Sequence, residues 1–90
     1  MSVDPKEFEA ELNRDGYEVV RVSWEAGVVN EMHSHPFDAR VMCTAGSIRI
    51  ETADEVRECT PGHVVEMAAN CEHAEFVGDS GVELLVGKRA

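Results

Sequence analysis

The chain has 90 residues, of which 8 are lysine or arginine and 18 are aspartate or glutamate, so its net charge is −10 when the histidines are neutral. This negative charge, without any cluster of basic residues, disfavours binding to nucleic acid and to anionic membrane surfaces. The length predicts a single domain over residues 1–90, and the 43% share of hydrophobic residues is typical of a folded globular chain.

Two features of the sequence predict a cytoplasmic protein. The first 15 residues are acidic and are interrupted by Pro5, unlike a secretory signal, and no stretch approaches the roughly 20 apolar residues of a membrane span. The three cysteines form no CxxC pair and their number is odd, which favours reduced, buried thiols over a disulfide framework.

One helix is predicted, within residues 1–16. Asp4 is a suitable N-cap, Pro5 suits the first helical position, and Gly16 favours an end to the helix. Phe8 and Leu12 are four residues apart and therefore share one face. We expect this face to hold the helix against a sheet; the alternative is an apolar stripe that binds a partner.

Residues 17–88 are predicted to form short strands. Apolar residues alternate with polar ones in three stretches, around Val20–Trp24, Ile48–Ile50 and Val82–Val86, which indicates strands with one buried face. Turn residues recur about every ten positions and favour a sandwich or barrel. They lie at 25–27, 45–46, 53–54, 60–62, 69–70 and 78–81. We expect one closed or nearly closed sheet without free edges.

Three histidines are the candidate metal ligands. His33 and His35 form an His-x-His pair, and in a strand residues two apart project from the same face. His73 follows a predicted turn about 40 residues later. Three neutral imidazoles would hold a divalent first-row metal and leave open coordination positions, as catalytic metals require. The alternative for the pair alone is two solvated surface histidines.

The spacing around these histidines resembles the two motifs of the cupin superfamily. The first motif is Gly, five residues, His-x-His, three or four residues, Glu, six residues and Gly; its positions here hold Gly27, His33, His35, Ala39 and Gly46. The second motif is Gly, five residues, Pro-x-Gly, two residues, His, three residues and Asn; its positions here hold Gly62, Ala68-Ala69-Asn70, His73 and Val77.

The resemblance implies an all-β fold, a double-stranded β-helix or jelly-roll barrel over residues 17–88, preceded by the short N-terminal helix. It also implies that His33, His35 and His73 hold a metal such as Fe, Ni, Mn or Zn, and that the chain forms a homodimer. Ala39 replaces the glutamate ligand of the motif, which would leave the metal centre more positive. Such a centre favours a small anionic or chelating substrate.

Other polar residues are candidates for roles beside the metal. Glu31 and Glu75 share strand parity with His33 and His73, so either carboxylate could serve as a general base or a replacement ligand; the alternative is a solvated glutamate. Cys71 could offer a thiolate, although a turn residue facing elsewhere is the favoured interpretation. His63 is expected at the rim and not among the ligands.

These features favour a metal-dependent enzyme with dioxygenase-, isomerase- or lyase-type chemistry on a small molecule. The alternative is a non-catalytic module that binds or senses a small ligand, with an empty or vestigial metal site. Because imidazole must be neutral to bind metal, we expect metal release below about pH 6.

Overall fold

The computed structural model describes residues 4–90 as one helix and six strands in a single antiparallel sheet. The elements are α1 (Pro5–Arg14), β1 (Glu18–Trp24), β2 (Val29–His33), β3 (Asp38–Glu51), β4 (Val56–Cys59), β5 (Val64–Met67) and β6 (His73–Arg89). No helix in this part of the chain is long and apolar enough to cross a membrane.

Two long strands, β3 and β6, organise the sheet. They pair with each other along their length, from Asp38 opposite Arg89 to Glu51 opposite Ala74. The short strands add to their ends. β1 pairs with the second half of β6 and β5 with the first half of β3, which forms what we call the β1 half-sheet. β2 pairs with the first half of β6 and β4 with the second half of β3, which forms the β2 half-sheet.

Both long strands bend where the sequence predicted turns. Residues 45–46 and 78–81 were expected to end strands, but β3 and β6 continue through them with local shifts in pairing register. Gly46 and Gly81 adopt φ angles of 73° and 76° there, and a Cβ on Gly46 would collide with the Gly81 carbonyl. Glycine therefore allows both strands to bend together without losing their partner.

The bend brings apolar side chains of the two half-sheets into one inner core. Twelve buried residues form it: Ala39, Val41, Cys43, Ile48, Ile50, Cys59, Val65, Met67, Val77, Val82, Leu84 and Val86. The predicted jelly-roll architecture is confirmed, but the sheet is not closed by hydrogen bonds. Within residues 4–90, each short strand pairs with only one neighbour, so free edges remain.

Helix α1 covers the outer face of the β1 half-sheet. Asp4 caps it by accepting a hydrogen bond from the Lys6 N–H at 2.7 Å, and it ends before Gly16, which has a φ of 83°. Phe8 and Leu12 are buried with Met42 and Leu85 in a second apolar cluster, which we call the outer cluster. The apolar face of the helix thus holds it against the sheet, as predicted.

Candidate metal centre

The fold brings His33, His35 and His73 together at one mouth of the inner core. His33 ends β2 and lies opposite His73, which begins β6, while His35 follows in the link to β3. The centre of the His33 ring lies 4.3 Å from the centre of the His73 ring and 4.8 Å from the centre of the His35 ring. One potential ligand atom from each residue lies within 4.8 Å of the others, so this group could hold a metal ion.

Backbone carbonyls orient two of the rings. The Nδ1 atom of His33 lies 2.6 Å from the Glu31 carbonyl oxygen, and that of His73 lies 3.0 Å from the Cys71 carbonyl oxygen. A carbonyl can only accept a hydrogen bond, so each Nδ1 must carry the proton. The Nε2 lone pairs remain free, and this is the arrangement in which imidazole binds metals with a second partner fixing the ring.

His35 is held by a different set of contacts. Its carbonyl accepts a hydrogen bond from the Asn70 N–H at 2.7 Å, and its ring stacks on Phe37 at 4.9 Å with an interplanar angle of 13°. Asn70 occupies the glycine position of the second cupin motif and has a φ of 67°, which asparagine tolerates better than most residues. The positive φ at Asn70 thus allows the turn whose N–H holds the His35 carbonyl.

The environment of His35 favours its neutral form. Burial lowers the pKa of His35, and the neighbouring His33 and His73 lower it further. The Glu75 carboxylate opposes this effect and the Lys88 ammonium adds to it. A lowered pKa suits a metal ligand, because the proton competes with the metal for the same nitrogen.

Glu75 is the carboxylate that the fold places beside the imidazoles. Glu75 is only 7% exposed, and its Oε1 atom accepts a hydrogen bond from the Asn30 side chain at 3.1 Å. Its Oε1 atom lies 3.7 Å from the His33 Nε2 atom and its Oε2 atom lies 4.0 Å from the His73 Nε2 atom. These separations exceed hydrogen-bond length, so both oxygens face the same space as the free nitrogens.

The donor set fits a first-row transition metal. Zinc and iron accept imidazole nitrogens and carboxylate oxygens, and such donors lie about 2.1 Å from the metal and therefore about 3.0–3.4 Å from one another. A bound cation would also compensate the buried charge of Glu75, which is costly without a partner. The chemistry of the three histidines therefore fits such a metal, and the Glu75 carboxylate lies beside them.

The other predicted candidates lie outside this group. Glu31 is exposed at the edge of the cavity and its carboxylate makes no ion pair within residues 4–90. The Cys71 Sγ atom donates a hydrogen bond to the Glu72 carbonyl oxygen at 3.9 Å, and Cys71 is not a member of the three-histidine group. His63 is exposed elsewhere, with its Nδ1 atom 3.1 Å from the Thr60 hydroxyl oxygen. Ligation by any of these residues has no support in the geometry.

A cavity of about 720 Å³ opens beside the histidines. The β2 half-sheet contributes the polar wall, with two of the three histidines, Asn30 and Glu75, and the β1 half-sheet contributes an opposite wall that is mostly apolar. Ala39 and Lys88 lie on that opposite wall as directly paired residues of β3 and β6. The motif position of the missing glutamate thus faces the cavity beside an ammonium group.

Two residues of this cavity, Asn30 and Lys88, were not predicted from the sequence. Asn30 lies on β2 three residues before His33, and its strand parity differs from that of the histidines. A shift in register between Asn30 and His33 changes that parity and directs the Asn30 amide to Glu75. Lys88 is distant in sequence from all the motif residues, and only its pairing with Ala39 brings it to the site.

Comparison with solved structures supports the assignment of the fold. An RmlC-like cupin from Shewanella frigidimarina superposes with a TM-score of 0.70 at 14% identity, over 82% of this chain and 67% of the other. The DMSP lyase DddQ from Ruegeria pomeroyi superposes with a TM-score of 0.77 at 25% identity, over 84% of this chain and 39% of the lyase. The chain therefore has the cupin fold, as its two motifs imply.

A third similar structure contains a metal. The oxalate decarboxylase of Bacillus subtilis, which has Mn(II) centres, superposes with a TM-score of 0.72 at 18% identity, over 84% of this chain and 22% of the enzyme. No protein-family model matches the sequence. The search among curated proteins finds no significant match either.

Proposed function

We propose that this protein is a small metal-dependent cupin enzyme that acts on a small chelating or anionic substrate. The observation that carries the proposal is the convergence of three imidazoles and one buried carboxylate at the mouth of a cavity of about 720 Å³. Similarity to the Mn(II)-containing oxalate decarboxylase and to the DMSP lyase DddQ, which share this fold, supports it. In this proposal His33, His35 and His73 hold the metal.

Glu75 takes the place of the motif glutamate in this proposal. Position 39 holds alanine on β3, whereas Glu75 reaches the same imidazoles from β6, so the carboxylate is supplied by a different strand. Asn30 fixes Oε1 of Glu75 by its hydrogen bond and thereby holds the carboxylate toward the nitrogens. A metal bound here would act as a Lewis acid toward an oxygen of the substrate.

The remaining groups of the cavity prepare it for a small polar molecule. Apolar side chains such as Val22, Leu84 and Val86 exclude water from the wall opposite the histidines and so strengthen electrostatic interactions inside. Glu31, exposed at the rim, is the carboxylate available to exchange a proton with solvent. This arrangement suits proton transfer in lyase or isomerase chemistry, and it equally admits a dioxygenase.

Metal analysis of untagged protein tests the proposal. We expect about one first-row metal ion per chain after reconstitution at pH 7.5, and loss of that metal in His73→Ala. His63→Ala is the matched control, because it removes an exposed imidazole outside the group and should retain the metal. A wild-type protein that takes up no metal would contradict the proposal.

A substrate screen then separates the reaction classes. Small hydroxy and oxo acids are incubated with the metal-loaded protein in air and under nitrogen, with oxygen uptake and product formation recorded. Turnover without oxygen indicates lyase or isomerase chemistry, and turnover coupled to oxygen uptake indicates a dioxygenase. Tight binding of an acid without any turnover would favour the alternative of a non-catalytic ligand-binding module.

We also propose that the chain forms a homodimer through β2. Val29 and Met32 on this strand are 55% and 52% exposed, and the strand has a free edge in residues 4–90. Exposed apolar side chains at an unpaired edge favour association with another copy. Light scattering coupled to size-exclusion chromatography should give twice the 9.9 kDa chain mass, and Met32→Lys should shift the mass toward the monomer.

A further inference from the structure

Lys88 is the cation of the cavity wall that faces the histidines. It lies near the end of β6, in the β1 half-sheet, whereas His33 and His73 lie in the β2 half-sheet. Its Nζ atom lies 5.4 Å from the centre of the Phe37 ring, and the His35 ring stacks on the same Phe37 ring with its centre 4.9 Å away. The distance from the Lys88 Nζ atom to the centre of the His35 ring is therefore at most the sum of these two distances.

Lys88 forms no ion pair in the part of the chain that the structure describes, although the sequence holds 18 aspartates and glutamates. Within residues 4–90, five arginines form ion pairs with carboxylates, and Arg89 donates to the Asp15 carbonyl oxygen. In the same part of the chain Lys88 forms no ion pair, and its contact with Phe37 does not neutralise its charge. An ammonium without a counterion in a chain of net charge −10 is available to an anionic ligand.

Lys88 has one direct partner in register on each side. On β3 the partner is Ala39, which lines the cavity with Lys88, and on β1 it is the exposed Glu18, which does not line the cavity and forms no ion pair with Lys88. A glutamate at position 39 would place a second carboxylate beside the ammonium, on the cavity wall itself. With alanine there, this wall of the cavity offers one positive charge and a small side chain that leaves room for a ligand.

We infer that Lys88 binds the second acidic group of a substrate whose first group reaches the histidine wall. The substrate class is a small dicarboxylic acid with a chelating hydroxyl or carbonyl oxygen at one end. This inference rests on the proposed function, because the chelating end needs the metal. Lys88 is then a specificity-determining residue: it selects dianionic acids over monoanionic acids of the same size.

Two probes that differ only in the second carboxylate test this inference. Malate and 2-hydroxybutyrate share the 2-hydroxy acid group, and a methyl group in the second replaces a carboxylate in the first. Untagged protein is loaded with one equivalent of Co²⁺, whose visible absorption reports metal uptake, and binding of each acid is measured by calorimetry. We expect malate to bind about tenfold more tightly, as suits one charge-assisted contact.

Variants assign this preference to Lys88. In Lys88→Met we expect the affinities for malate and 2-hydroxybutyrate to become equal, with Co²⁺ uptake unchanged. Lys88→Arg should restore the preference because it keeps the charge. Lys6→Met is the matched control: it makes the same change in charge and side-chain length on the exposed start of α1, and should keep the preference.

The outcomes separate the two claims. Equal affinities of the two acids in the wild-type protein, or a preference that persists in Lys88→Met, would overturn the role of Lys88 while leaving the metal centre intact. Failure of the wild-type protein to take up Co²⁺ would overturn the proposed function itself, and the inference would fall with it.

Discussion

Leu84 and Leu85 are neighbours on β6, but their side chains belong to different regions of the molecule. Leu85 is fully buried in the outer cluster beneath α1, together with Phe8, Leu12 and Met42. Leu84 lies in the inner core and lines the cavity. The four buried residues of the outer cluster are all apolar, whereas the inner core opens at one end to the three imidazoles and a buried carboxylate. The comparison indicates that stability and chemistry depend on opposite faces of one strand.

The largest expected effect is on the outer cluster. Phe8→Ala removes a ring that is 1% exposed and should lower the free energy of unfolding by about 3–5 kcal/mol, because a cavity remains beneath the helix. Urea denaturation of metal-free protein measures it, with Val56→Ala as the control at a 60% exposed position. Metal affinity at low denaturant should be unchanged; a parallel loss of metal would show that the two faces are not independent.

Glu75→Gln should have the opposite pattern of effects: it should lower metal affinity without lowering the stability of the fold. We expect metal affinity to fall at least about tenfold, roughly 1.4 kcal/mol, since the substitution removes the buried negative charge beside the Nε2 atoms. The metal-free protein should be no less stable, because an unpaired buried carboxylate is costly. Glu31→Gln is the matched control, and competition with a metal-binding dye measures both variants. Equal effects of the two substitutions would refute a special role for Glu75.

Lowering the pH should release metal from the three histidines before it disturbs the outer cluster. Because the pKa of His35 is lowered, chiefly by burial, the folded chain favours the neutral ring. The neutral His35 ring contributes its full stability at pH values above about 6.5, the ordinary histidine pKa. This contribution is lost as the pH falls through the lowered pKa of the folded chain. We expect half of the metal to be released below about pH 6, measured by metal analysis after dialysis. Half-release at pH 7 or above would contradict this prediction.

The smallest expected effect concerns the cysteines, and it involves no change in stability. Burial raises the pKa of the Cys59 thiol to about 11, so about one part in a thousand is thiolate at pH 8. Burial also raises the pKa of Cys43. In native protein at pH 8, a thiol reagent should modify Cys71 first and the other two only after unfolding, as peptide mapping would detect. Rapid modification of Cys59 would indicate that the inner core opens.

The sequence predicted the helix, the strand content and the fold because each has a local signal. The cap at Asp4, the alternation within strands and the spacing of the motif glycines and histidines need no knowledge of distant contacts. That His33, His35 and His73 bind metal stays a prediction. The bends at Gly46 and Gly81 were misassigned as turns, because a glycine with positive φ has the same local signature in a turn and in a bulge.

The rest of the site depends on register between segments that are distant in the sequence. Strand parity made both Glu31 and Glu75 candidates, but the shift in pairing between Asn30 and His33 interrupts the alternation on which the parity of Glu31 relied. Lys88 carries no motif signal, and it reaches the cavity only because β6 pairs with β3 at Ala39. Such registers are set by the whole sheet and not by any short stretch of residues.

The central place of β6 has a consequence for how the chain folds. Strands β1, β2 and β3 all pair with β6, although they are synthesised before it, whereas β3, β4 and β5 can pair as soon as they emerge. Long-range antiparallel pairing of this kind is slow, and unpaired strands are prone to aggregate while they wait. Because His73 is the first residue of β6, the imidazole group cannot assemble before this last strand is added. A metal held by all three imidazoles could therefore bind only after the start of β6 has paired with β2.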